Sequence, residues 1–221
     1  LSWWSEQAQA HSGCWVAFYV RAHLATEDTR CNQWREPVLH DSNTYTDAIH
    51  DVLTNFGYSA GDPWSQASAY NLYQKSTYGT NWAYCAFVAA NPLGPNEFTN
   101  GYSAWAYIGG PYTALLEHSF SWPFGQVLAH ESGHIFRACD EYYEAGYGGC
   151  TSCGVCGSTG ALNGNCEYCN PEAVGCMMRA NSWLLCSYTP AQLVWTRTPC
   201  APAALPPPGI SAVLPAVAAH D

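Results

Sequence analysis

The stretch HESGHIFRACDEY, residues 130–142, decides how this chain is read. His130 and His134 stand four residues apart, Glu131 lies between them, and Asp140 follows ten residues after His130. In a helix, residues i and i+4 are separated by about 40° around the axis and about 6 Å along it, so both imidazoles can meet one ion. Glu131 sits beside them, placed to reach a metal-bound water rather than the metal. Zinc lowers the pKa of such a water to about 7, and a neighbouring carboxylate can then take its proton. This is the machinery of metal-assisted peptide hydrolysis. A helix carrying two structural histidines is the plainer alternative.

Asp140 poses a geometric problem. A helix continuing to it would place it about 15 Å up the axis from His130, out of reach of a shared ion. The chain must therefore leave the helix soon after His134 and fold back. A turn of that kind favours φ > 0, where glycine has no steric cost. Here the position is held by Arg137. A residue with a side chain pays on the order of 1–2 kcal/mol there, and a disulfide at Cys139 would help to hold it. Glu144, Glu167 and Glu172 are the alternative third ligands, with Glu141 behind them. His118 is read as a structural, hydrogen-bonded histidine.

Working outward, residues 121–138 read as the helix that carries the motif, with Pro123 at its first position and Ser121 near enough to cap it. Upstream, residues 14–24, 83–91 and 103–110 have the β-branched and aromatic composition of strands, and 112–118 extends or follows the last of them. Residues 44–58 space Ala48, Ile49, Val52, Leu53 and Phe56 at helical intervals, and a weaker helix follows the GDPW turn at 61–64. Downstream, residues 144–176 are rich in Gly and Cys without periodicity, and a short helix is expected from Thr189. Residues 201–221 are rich in Pro and Ala and read as a linker or tail.

Composition excludes several classes of partner. The formal net charge is −10 and the chain has seven Lys and Arg in all, too few for a nucleic-acid-binding patch. No apolar run reaches the length of roughly 18 residues that a membrane span needs. Acidic residues lack the regular spacing of a calcium loop, so any structural calcium would have to come from scattered carboxylates. Trp3, Trp4 and Trp105 are read as packing residues, and Tyr142, Tyr143 and Tyr188 as surface or core residues ahead of any role at an oxyanion.

The twelve cysteines point to an oxidising compartment, hence a secreted or cell-surface protein with several disulfides. No leader-type segment opens the chain at Leu1, as expected of a mature form. Within 150–169, the pairs Cys150/Cys153, Cys153/Cys156 and Cys166/Cys169 have the spacing of a four-cysteine zinc site. Disulfides stapling a loop region poor in core residues are the preferred reading.

HESGHIFRACD resembles the extended zinc-binding motif of the metzincin metallopeptidases, whose third ligand falls ten residues after the first histidine. Asp140 in that place, followed by Glu141 and Tyr142, is similar to the branches with an aspartate ligand, the IgA-peptidase-like enzymes above all and also snapalysin. Metzincins carry a methionine turn beneath the zinc. GCMMRANSW (175–183) resembles it, with Met178 two residues after Cys176. The resemblance implies a zinc endopeptidase with an α+β, zincin-like fold. An N-terminal lobe with a twisted mixed sheet and helices (1–134) would face an irregular, disulfide-rich lobe (135–200) across a cleft. It implies zinc on His130, His134 and Asp140, with Glu131 activating the Zn-bound water as general base. The substrate would be a protein or peptide, aligned along an edge strand at 103–110, and the enzyme is expected to act as a monomer. A non-catalytic metal-binding or structural module of a secreted or surface protein is the competing reading, and an exopeptidase is a third.

Overall fold

The computed structural model describes residues 1–32, 46–90, 97–118, 122–143, 150, 154–156, 159–172, 174–193 and 195. Their architecture is mixed α+β: a small mixed sheet, helices packed on it, and an irregular region cross-linked by disulfides. None of these helices is long and apolar enough to cross a membrane.

The sheet has three strands: β1 (Cys85–Ala89), β2 (Ala104–Ala106) and β3 (Tyr112–Leu116), in the order β1-β3-β2. β3 runs parallel to β1 and antiparallel to β2, which leaves β2 on the edge. Being central, β3 is buried along its whole length. Successive side chains of a strand point to opposite faces. Tyr112, Ala114 and Leu116 form a core with Ile49, Leu53 and Ala67 from the helices α2 (Asp47–Asn55) and α3 (Pro63–Tyr78). Thr113 and Leu115 point the other way and are equally buried, on the side where the motif helix α4 (Phe124–Ile135) packs.

Local chemistry explains most of the helix limits. The Asp62 side chain accepts the Ser65 N–H at 2.8 Å and Pro63 occupies the first turn, so α3 starts before the weak helix expected from its apolar pattern. Gly79 closes it at φ 62°, its N–H returning to the Lys75 carbonyl. The N-terminal helix α1 (Ser2–Ser12) was not expected; it is tied to α4 by the Trp4 indole N–H, which donates to the Ala129 carbonyl at 2.9 Å. In the lower region come the two-residue strands β4 (Val155–Cys156) and β5 (Ala161–Leu162), then short helices α5 (Met177–Ala180) and α6 (Thr189–Gln192). Trp4, Ala129, Ala138, Met177, Met178 and Leu193 form a second core beneath α4.

One expectation is corrected. Residues 14–24 are not a strand: they follow α1 as irregular chain, and Trp15, Val20 and Leu24 are exposed. Strand-favouring side chains make no strand where no partner strand lies alongside. Over 150–169 the preferred reading, disulfides rather than a four-cysteine zinc site, agrees with the structure. Cys150 is bonded to Cys166 and Cys139 to Cys156, while Cys169 and Cys14 are also in disulfides. Cys153 lies outside the described residues, as do Ser121, Glu144 and the tail 201–221.

Candidate metal centre

The motif helix stops at Ile135, three residues short of the expected end, and the cause is Arg137. Its φ is 84°, the left-handed conformation that folding back requires. The Arg137 N–H bonds to the His134 carbonyl at 2.8 Å and the Ala138 N–H to the Gly133 carbonyl at 2.9 Å. That pair of bonds is a Schellman ending with arginine in the place usually given to glycine. The turn also aims the Ala138 carbonyl back at the helix, where it meets His134 Nδ1 at 2.9 Å.

Asp140 is then fixed from three sides. Cys139 is bonded to Cys156, and its N–H donates to Gln192 Oε1 at 2.9 Å. The Asp140 carbonyl accepts from Asn163 Nδ2 at 2.8 Å. The next residue, Glu141, donates its N–H to the Met178 carbonyl at 2.9 Å.

These constraints bring together the three side chains that the motif singled out. His130 Nε2 and His134 Nε2 lie 3.1 Å apart, and Asp140 Oδ1 is 3.1 Å from the first and 3.2 Å from the second. His130 Nδ1 meets the Met177 carbonyl at 2.8 Å, as His134 Nδ1 meets that of Ala138. A carbonyl only accepts, so each Nδ1 carries the hydrogen and each Nε2 of a neutral ring presents a lone pair. With both rings neutral, three acceptor atoms converge, an arrangement that is repulsive unless a proton or a metal cation lies among them. Two ligand atoms on a tetrahedral zinc, with bonds of about 2.0–2.1 Å, stand about 3.3 Å apart, so the triangle fits that ion closely.

Electrostatics favour a proton on His134 in that place when no metal is bound. Burial works against charge on His134, but the Asp140 carboxylate outweighs it and holds the imidazole pKa at about 9. Burial likewise opposes ionisation of Asp140, yet the two histidines hold its carboxyl well below the usual range. Glu131 is buried, and this raises its pKa, the nearby histidines only partly compensating. Its Oε2 is enclosed with no hydrogen-bond partner, a costly state unless something else comes to it.

The other candidates fall elsewhere. Glu167 is an exposed partner of Arg179 at 3.2 Å, Glu172 and His118 are exposed, and Glu141 points into a separate buried cluster. Tyr142 is the one named tyrosine beside the histidines, its ring centroid 6.1 Å from that of His130. Tyr143 stacks on Tyr168, and Tyr188 packs against the core beneath α4. Met177 and Met178 are both fully buried under the helix. Met178 faces it: a Cβ on Gly133 would come within 2.5 Å of the Met178 sulfur. Met177, Asn163 and Gln192 were not foreseen, since each acts through a tertiary contact that leaves no local pattern.

No family model, curated protein or solved structure matches the chain.

Proposed function

We propose that this chain is a zinc-dependent endopeptidase of metzincin type, with the zincin-like arrangement of an upper lobe (1–134), a lower lobe (135–200) and a tail (201–221). The observation that carries this reading is the convergence of three lone pairs beside a buried carboxylate with an unpartnered oxygen. His130, His134 and Asp140 hold the metal, and Met178 supports the floor of the site. Bound zinc acts as a Lewis acid toward the scissile carbonyl and makes water acidic enough to be used near neutral pH. Glu131 takes the proton of the attacking water and then delivers it to the departing amine. Its raised pKa suits both halves of that task, since a base held above the ordinary carboxylate range is also a better acid afterwards.

The edge strand β2 offers backbone groups on its outer side, among the described residues, and an extended substrate can pair with it. β2 also packs against α4, and the Gly109 N–H beyond it donates to the His134 carbonyl at 2.8 Å, which ties this edge to the histidines. The disulfides fit a secreted or surface protein.

Metal analysis of the purified chain should find one zinc, lost in Asp140→Ala. Internal cleavage of an unfolded protein substrate should disappear on chelation and in Glu131→Ala. Cleavage that survives both treatments would sink the mechanism. Stoichiometric zinc without any cleavage would favour the non-catalytic module, and release of single terminal residues alone would favour an exopeptidase.

A further inference from the structure

A second cluster of reactive side chains lies beneath the histidines. Cys176 and Cys186 flank the methionine turn, and neither carries a disulfide in this structure. Both are buried. The Cys186 N–H donates to Cys176 Sγ at 3.3 Å, and Thr189 Oγ1 is 3.3 Å from each sulfur. Glu141 Oε1 lies 2.9 Å from Cys186 Sγ and 2.9 Å from Thr189 Oγ1. The two sulfurs and a Glu141 oxygen all fall within 4.8 Å of one another.

The same atoms could be read as ligands of a buried ion, but their spacing argues otherwise. On a tetrahedral zinc, with bonds of about 2.3 Å to sulfur and about 2.0 Å to oxygen, a thiolate and a carboxylate oxygen stand about 3.5 Å apart. The 2.9 Å from Cys186 to Glu141 is a hydrogen bond instead, and the Thr189 hydroxyl stands within 3.3 Å of all three atoms.

We propose that Cys176 and Cys186 join as a disulfide that clamps the two ends of the methionine turn. The ends are already together, because the Met177 N–H bonds to the Leu184 carbonyl at 2.7 Å. Closing the bridge removes one donor from Glu141. Asn165 Nδ2 at 2.7 Å and Thr189 Oγ1 remain to satisfy that carboxylate. The oxidant is a small-molecule disulfide. One cysteine thiolate attacks it and expels a small thiol. The second cysteine then attacks the mixed disulfide, expelling the other small thiol. The new sulfur–sulfur bond replaces the one broken in the oxidant, and the two cysteine protons leave on the two small thiols. Both sulfurs are shut off from solvent once the chain is folded, so the exchange belongs to folding, alongside that of Cys139–Cys156 and Cys150–Cys166.

The pairing does not rest on the peptidase reading, and its test does not use activity. The full chain, folded with oxidised and reduced glutathione, is denatured in N-ethylmaleimide without reductant and digested with trypsin together with a protease that cuts after glutamate, so that cuts after Glu172, Arg179 and Arg197 leave Cys176 alone in 173–179 and Cys186 alone in 180–197. The Cys176 peptide and the Cys186 peptide should travel as one linked species, two hydrogens lighter than the free pair, and separate on reduction. Maleimide on both residues, or a bond from either one to a different cysteine, would overturn the proposal. In Cys186→Ser, Cys176 should become fully maleimide-labelled. A Cys176 that stays unlabelled there has another partner, which also overturns it.

Discussion

Arg137 holds a left-handed conformation that costs a side-chain-bearing residue on the order of 1–2 kcal/mol. The surroundings that offset it are visible. The two Schellman hydrogen bonds close over it, the Cys139–Cys156 bridge fixes the chain just beyond, and its aliphatic stem lies over Gly109. Gly109 itself has φ 69°, and a Cβ there would touch the Arg137 side chain at 3.4 Å. The residue therefore trades conformational strain for packing. Arg137→Gly should relieve the strain and lose the packing, leaving stability within about 1 kcal/mol of wild type and zinc affinity little changed. Arg137→Val is different, because a β-branched residue is a true outlier at positive φ. It should cost about 2 kcal/mol and weaken zinc binding, since the Ala138 carbonyl would no longer hold His134 in its metal-facing tautomer. Thermal unfolding and a competitive chelator titration check both variants. A Val variant as stable and as tight as wild type would mean that the turn is not under this constraint.

The motif helix and the turn that carries Met178 act as one element. Gly133 lets them approach, with the Met178 sulfur and the Trp4 ring packed where a side chain would otherwise be. Gly133→Ala gains up to about 1 kcal/mol of helix propensity but meets these neighbours, and overpacking of a tight core costs about 1–3 kcal/mol. Met178→Ala alone leaves a cavity. Combined, the two changes should compensate, with a coupling of about 1 kcal/mol or more in a double-mutant cycle of unfolding free energies. Additive effects would show that the helix and the turn are not in the contact described. This scale also shows where sequence reading succeeds. Histidines and glutamate within one turn of α4 were legible because helix geometry alone relates them. The Arg137 turn was legible as a requirement, because Asp140 cannot otherwise return. What fixes Asp140 was not: Asn163 is 23 residues from it, and Gln192 is 53 from Cys139. Residues 14–24 mislead for the same reason, since composition favours a strand and only tertiary contact can supply the partner. α3 was underestimated because its ends are set by Asp62, Pro63 and Gly79 rather than by an apolar stripe.

At the scale of the whole molecule, the residues of the candidate metal centre link stability to pH with a sign that bound metal would reverse. In the chain stripped of metal, His134 has a pKa near 9 against an ordinary 6.5. Its pairing with Asp140 therefore stabilises the fold fully below pH 6.5 and is lost as pH rises toward 9. Asp140 is held below its ordinary 3.8, so its contribution is present above that pH and is lost as pH falls further. Glu131 is raised above its ordinary 4.5, and burying its charge penalises the fold as pH rises through the raised value. Together they place the stability maximum of the stripped chain between about pH 4 and 4.5, as far as these three groups decide it. Zinc binding needs the opposite state, with His134 deprotonated, so its affinity should grow as pH rises toward 9. The upward shift in thermal midpoint on adding a fixed excess of zinc should accordingly widen from pH 6.5 to 9. It should be nearly absent at pH 5, where a proton holds the His134 imidazole. Thermal scans of stripped and zinc-loaded protein across that range measure the difference directly. A zinc-dependent shift that is flat with pH, or that narrows above 6.5, would show that His134 is not the proton that the metal displaces.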